Sequence, residues 1–142
     1  VKTRGTVAIV HGIGEHGGRY AHVAARLTGE GWEVVAVDHR GHGASGGARG
    51  VLPTDAALLE DLAVVVDAER ARGTGPLLLL GHSMGGLIAA RFVAGPVRAV
   101  DGLILSSPAL ATRLSAGQRL LLAVGRRLFP DLAIGNGLDP RY

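Results

Sequence analysis

Four short stretches of the chain are almost solidly apolar: residues 6–10 (TVAIV), 32–37 (WEVVAV), 77–80 (LLLL) and 103–105 (LIL). None alternates apolar with polar residues as a half-exposed strand does, so each is expected to be a strand buried on both faces of a parallel sheet. Helical periodicity fills the intervals. Tyr20, Val23, Ala24 and Leu27 recur at i, i+3, i+4 and i+7, and this segment stops at Gly29 or Gly31. Leu58, Leu62, Val65, Val66 and Glu69 mark a longer helix, with Thr54 as its expected N-cap, Pro53 just outside and Gly73 as its stop. A third helix is expected over residues 84–94, with Leu87, Ile88, Phe92 and Val93 facing inward. Strands alternating with helices predict right-handed crossovers and an α/β sheet with helices on both faces.

The pattern changes after Pro108. Residues 115–129 (SAGQRLLLAVGRRLF) read as an apolar helix carrying Arg119, Arg126 and Arg127, followed by Pro130 and a turn-rich tail. No apolar run exceeds five residues, far short of the roughly 18–20 that a spanning helix needs.

Composition narrows the picture. At 142 residues the length alone suggests one domain. With 47% apolar and 19% charged residues the chain can build a core and is not disordered. Glycine is the outlier, with 23 residues, more than twice the usual share of roughly 7%. That density argues against coiled coils and helical bundles and for many tight turns. The absence of cysteine excludes disulfides, thiolate metal sites and cysteine nucleophiles. The net charge of +3 comes from fourteen arginines and one lysine scattered over every segment, without the clustering a nucleic-acid surface requires, so no nucleic-acid partner is expected. The six histidines fall in separate loops without paired ligand spacing, so neither a metal nor another cofactor is expected. The expected compartment is the cytoplasm, although a chain opening on Val1 says nothing of a leader peptide. Oligomeric state is not specified.

In an open parallel sheet the chemistry gathers in loops at the carboxyl ends of the strands. The loop after the third strand reads Gly81-His82-Ser83-Met84-Gly85-Gly86. Its G-x-S-x-G pattern, between a strand and a helix, is the context of a nucleophile elbow, and composition would produce the pattern only roughly 0.1 times by chance. The glycines are needed because Cβ atoms beside the strained turn would strike the neighbouring strand and helix. Ser83 is the expected nucleophile. In this arrangement one oxyanion donor is the backbone N–H of the following residue, Met84, and the other lies in the loop after the first strand, where the N–H of Ile13 is the natural choice. A competing pattern, Gly12-x-Gly14-x-x-Gly17 with Asp38 beyond it, has the form of a dinucleotide-binding fingerprint. It is expected roughly 0.6 times by chance in so glycine-rich a chain, and a second copy occurs at Gly41, Gly43 and Gly46. A dinucleotide-binding domain and a non-catalytic α/β interaction module therefore stand as alternatives.

Four motifs in order, HGIGEHGGRY (11–20), DHRGHGAS (38–45), GHSMGG (81–86) and SSP (106–108), resemble the monoacylglycerol lipase and lysophospholipase branch, serine aminopeptidase S33-like, of the α/β-hydrolase superfamily. The resemblance implies a partial α/β-hydrolase fold, with about four central parallel strands flanked by helices. Residues 1–112 would form the N-terminal and central core, and residues 113–142 the start of a helical cap or lid. It also implies a serine esterase acting on an acyl ester or lipid, with Ser83 as nucleophile and Ile13 and Met84 as oxyanion donors. His11, Gly12, Gly14, Glu15, His16, Arg19 and His82 would bind substrate or organise the loops. Asp38, Arg40 and His42 would fix the loop after the second strand. The helix over residues 120–128 would make transient membrane or lipid contact, or pack beneath the rest of the cap.

One departure is expected to matter. In this superfamily the triad runs Ser, then acid, then His, yet every histidine here precedes Ser83. Of the later acids, Asp101 precedes its strand and so lies at the wrong end of the sheet, while Asp131 and Asp139 fall in the cap-like tail. His11 and His16 sit on the oxyanion side and are poorly placed to act as base. Residues 1–142 alone are therefore expected to have little or no activity, with the triad acid and histidine beyond Tyr142.

Overall fold

The computed structural model describes residues 3–73, 75–111 and 114–128. The predicted alternation is present. Strands β1 (Thr6–Val10), β2 (Glu33–Val37), β3 (Leu77–His82) and β4 (Gly102–Ser106) alternate with helices α1 (Ala21–Gly29), α2 (Ala57–Arg72) and α3 (Met84–Ala94), and α4 (Ala116–Leu128) follows. A single 3-10 turn, Gly17–Tyr20, leads into α1. All strand pairs are parallel, in the order β2-β1-β3-β4. The register aligns Val37, Val10, Gly81 and Leu105 near the carboxyl edge of the sheet.

This order follows from the crossovers. From β1 the chain passes through α1 to one side, then returns through α2 to the other side of β1 and continues outward through α3. Right-handed connections therefore put α1 on one face of the sheet and α2 and α3 together on the other, where α2 packs against α3. The core lies between the sheet and that pair. Phe92, Ile88 and Ala89 of α3 and Leu62, Ala63 and Val66 of α2 pack on Ala8, Val10, Leu77 and Leu79. A fully buried Phe92 contributes about 2–3 kcal/mol by removal of its apolar surface from water.

Three expectations need correction. Only β1 is buried at every position; β2 and β4 are the outer strands of the sheet, and Ile104 and Leu105 of β4 are 45% and 38% exposed. Thr54 is not the N-cap of α2: a turn intervenes, in which the Thr54 carbonyl accepts the Ala57 N–H at 3.2 Å, and the cap position is Ala56, which has no side-chain bond. Val93 faces solvent and Ala89 takes the inward position on α3. The expected stop of α2 at Gly73 is present, in the left-handed region at φ 65°. The predicted helical segment over residues 115–129 corresponds to α4, on which Leu120, Leu121, Leu122, Val124 and Leu128 are exposed; Phe129 and the tail, with Asp131 and Asp139, lie outside the described residues. Among the described residues no helix is long and apolar enough to cross a membrane.

Candidate active site

β1 and β3 are adjacent, but their outgoing connections run to opposite sides of the sheet. That reversal opens a crevice at their carboxyl ends, where ligands bind in open α/β sheets. Ser83 lies on one side of it. It is the single residue between β3 and α3, held at φ 52°, ψ −117°, a conformation that costs a non-glycine residue about 1–3 kcal/mol. The surrounding backbone enforces it. The Ser83 N–H donates to the Ser106 carbonyl at 3.0 Å, and the Ser83 carbonyl accepts the N–H groups of Leu87 at 3.2 Å and Ala109 at 3.0 Å. Close packing explains the glycines. A Cβ on Gly85 would overlap the Val10 carbonyl and lie 2.5 Å from that of His11; one on Gly81 would lie 2.5 Å from the Gly85 carbonyl; one on Gly86 would lie 2.8 Å from Pro108 Cβ. Met84 opens α3, and the N–H groups of a first helical turn have no intrahelical partner.

Across the crevice is the loop after β1. Residues 12–15 form a turn in which the Gly12 carbonyl accepts the Glu15 N–H at 3.4 Å, with Gly14 in the left-handed region at φ 71° and Ile13 half exposed. The loop closely approaches the serine: a Cβ on Gly12 would come within 3.2 Å of Ser83 Cβ. Glu15 braces the turn from within, because its Oε2 accepts the Gly12 N–H at 3.0 Å and the Tyr20 hydroxyl at 2.7 Å. Arg19 lies 3.8 Å from the same carboxylate. Burial alone would raise the Glu15 carboxyl, but the bonds from Tyr20 and Gly12 and the Arg19 charge outweigh it and hold Glu15 below its ordinary range. Burial, followed by the bond to Glu15, raises the Tyr20 hydroxyl. His16 contributes its backbone, which accepts the Arg19 N–H at 3.1 Å, and makes no side-chain cap. His82 points away from the core, with Nδ1 3.1 Å from Ser106 Oγ and its ring 6.4 Å from that of Tyr20.

His11 is fully buried. Its Nε2 accepts the His39 N–H at 3.1 Å, which assigns the proton to Nδ1, the donor to the Gly12 carbonyl at 2.7 Å. His39 returns the contact by donating from Nε2 to the His11 carbonyl at 3.1 Å. The two rings lie 4.2 Å apart. Burial, then the neighbouring His11, pushes His39 down to about 4; burial also lowers His11, against the bond to Gly12. Asp38 accepts the Gly17 N–H at 2.6 Å and the Ala44 N–H at 2.8 Å. Burial raises its carboxyl, but these two bonds prevail and keep it below the ordinary range. Arg40 grips Asp61 of α2 through two bonds of 2.6 Å.

The dinucleotide reading loses its support here. The Gly12 and Gly17 N–H groups that would face a pyrophosphate are occupied by the carboxylates of Glu15 and Asp38, and the loop enters a 3-10 turn before α1 begins. Among the described residues Ser83 Oγ makes no hydrogen bond, and no group of three or more histidine, aspartate or glutamate side chains is arranged to hold a metal. Asp101 is at the far end of the sheet, where its carboxylate accepts the N–H of Leu77, the first residue of β3. Two residues of this neighbourhood were not marked by sequence. Tyr20 reads as a helix-face position and as the last residue of the first motif, with no role of its own, and the joining of His39 to His11 spans 28 residues with no periodic signal.

A parallel sheet in this order, with a serine elbow at its switch point, defines a partial α/β-hydrolase fold. Comparison with known proteins agrees. The sequence profile of the family described as serine aminopeptidase, S33 matches residues 1–142, and the chain belongs to that family. It is 39% identical over 137 residues to a monoacylglycerol lipase of Mycolicibacterium smegmatis, covering 94% of this chain and 49% of that one. The crystal structure of Paleococcus ferrophilus monoacylglycerol lipase superposes with a TM-score of 0.77 at 37% identity, over 99% of this chain and 53% of that one. A soluble variant of monoglyceride lipase from Saccharomyces cerevisiae, solved with a substrate analogue, gives 0.82 at 26% identity, over 97% and 48%. The chain thus spans about half the length of these relatives.

Proposed function

We propose that these residues are the nucleophile-bearing part of a serine hydrolase that cleaves carboxylic esters of the monoacylglycerol or lysophospholipid type. One observation carries the proposal: Ser83 is held at a strained φ of 52° on a strand-to-helix elbow, facing a loop whose Gly12 lies beside its Cβ. Ser83 Oγ attacks the ester carbonyl while a base takes its proton. The N–H groups of Ile13 and Met84 receive the oxyanion of the tetrahedral intermediate, which collapses to an acyl-serine and releases the alcohol; water then cleaves the acyl-serine. Exposed Ile13 and the half-exposed His82 border the crevice and contact substrate, while His11, Glu15 and Arg19 organise the loop. Residues 113–142 begin a cap, and the exposed leucines of α4 approach lipid.

The base is not among these residues. Among the described residues no histidine is hydrogen-bonded to Ser83 Oγ, and His11 and His39 are committed to each other. Residues 1–142 alone therefore supply the nucleophile and oxyanion donors without a triad, and their turnover falls to the roughly 10³–10⁴ over water that an oxyanion hole and binding provide. The test is fluorophosphonate labelling and monoacylglycerol hydrolysis by the full natural protein. Both are expected to vanish in Ser83→Ala. Labelling that persists in Ser83→Ala, or an unreactive wild-type protein, overturns the reading.

A further inference from the structure

We infer that Asp38 and His39, in the loop after β2, are positioning residues that hold the oxyanion loop in place against Ser83, an inference that rests on the serine-hydrolase reading above. An oxyanion donor works only if its N–H is aimed in advance at the place where charge develops. The internal braces of the loop cannot set that aim relative to Ser83. The bonds Glu15 to Gly12 and Tyr20 to Glu15 all lie within residues 12–20, so the unit they form could shift as one body across the crevice.

Two tethers from β2 prevent such a shift. The first is the Asp38 carboxylate, which takes the Gly17 N–H on one oxygen and is itself fixed by the Ala44 N–H on the other. Gly43, at φ 51°, passes so close that a Cβ there would overlap this carboxylate. The second is the reciprocal pair of His39 and His11: one backbone N–H donated to a ring, one ring N–H donated to a backbone carbonyl. Because the other nitrogen of His11 holds the Gly12 carbonyl, the position of β2 is transmitted through a buried ring to the residue beside Ser83. Around this pair stand His42, Asp38, Glu15 and Asp61. Neither tether requires its own side chain to touch the substrate.

The test compares the full natural wild-type protein with Asp38→Asn, His39→Asn and His39→Gln. Glutamine places an amide donor where His39 has Nε2, whereas asparagine cannot reach the His11 carbonyl. The readouts are kcat and KM for a nitrophenyl ester, and the inhibition constant of a trifluoromethyl ketone, whose serine adduct places an oxyanion in the hole. Asp38→Asn and His39→Asn are expected to lower kcat about 10- to 100-fold with KM within about three-fold, and to weaken the ketone by a similar factor. His39→Gln is expected to restore both to within about three-fold of wild type. A fall in kcat with an unchanged inhibition constant, which is what a smaller folded fraction produces, overturns the inference, as does equal behaviour of His39→Asn and His39→Gln. If wild type reacts with fluorophosphonate and Ser83→Ala does not, the hydrolase reading survives such a result; an unreactive wild type removes both.

Discussion

At the scale of single residues, the site is built from contacts too close to admit another atom. Gly85 rests on the carbonyls of Val10 and His11. Gly85→Ala is therefore expected to force β1 and β3 apart or distort the elbow, destabilising the fold by about 3 kcal/mol or more. Urea denaturation checks this, and a loss below about 1 kcal/mol would contradict the packing. Buried histidine gives a second expectation, with a definite sign. His39 titrates near 6.5 when unfolded and is pushed down to about 4 when folded, so the folded state binds fewer protons in the interval between. Its contribution is full above about pH 6.5 and is lost progressively as pH falls towards 4, to a total of about 3 kcal/mol. His11 adds a loss of the same sign. Carboxylates held low, Asp38 and Glu15, act in a separate range below their ordinary values near 4. Denaturation midpoints measured between pH 7.5 and 5 should fall for wild type and fall less for His39→Gln; equal slopes would exclude His39 as a source.

At the scale of elements, local rules made the chain's alternation legible and misjudged details fixed by neighbours. The apolar runs at 6–10 and 77–80 find their strands because a central parallel strand needs no polar face, and the elbow is legible because its glycines and serine are contiguous. Thr54 misleads because any threonine before an apolar period looks like a cap, while the turn that delays α2 to Ala57 carries no signal of its own. This separates the two ends of α2 experimentally. Thr54→Ala is expected to change stability by less than about 0.5 kcal/mol, and Gly73→Ala, which must hold a side chain at φ 65°, to cost about 1 kcal/mol. A thermal-shift comparison of the two variants decides the matter, and the reverse ranking would be inconsistent with the observed caps. The His11–His39 and Gly17–Asp38 contacts were illegible for another reason: they join loops on adjacent strands, and only the strand order makes those loops neighbours.

At the scale of the whole molecule, the described sheet has two outer strands, and β4 exposes Ile104 and Leu105. An outer strand with apolar side chains is a template for pairing. Residues 1–142 produced by themselves are expected to self-associate, eluting as more than one chain in light-scattering chromatography, and Ile104→Lys with Leu105→Lys should reduce that association. A monodisperse single chain would count against it. The seat of Gly85 on the first strand has one more consequence, which concerns when Ser83 takes up its pose. Its pose depends on a carbonyl from a strand made long before it, on Ser106 and Ala109 made after it, and on glycines that fit only when these are in place. In a chain still emerging from the ribosome, these contacts are not yet made and Ser83 is a plain alcohol. On the reading proposed above, reactivity is a property of the assembled sheet, and Ser83 gains it only when the strands on either side of it are in place.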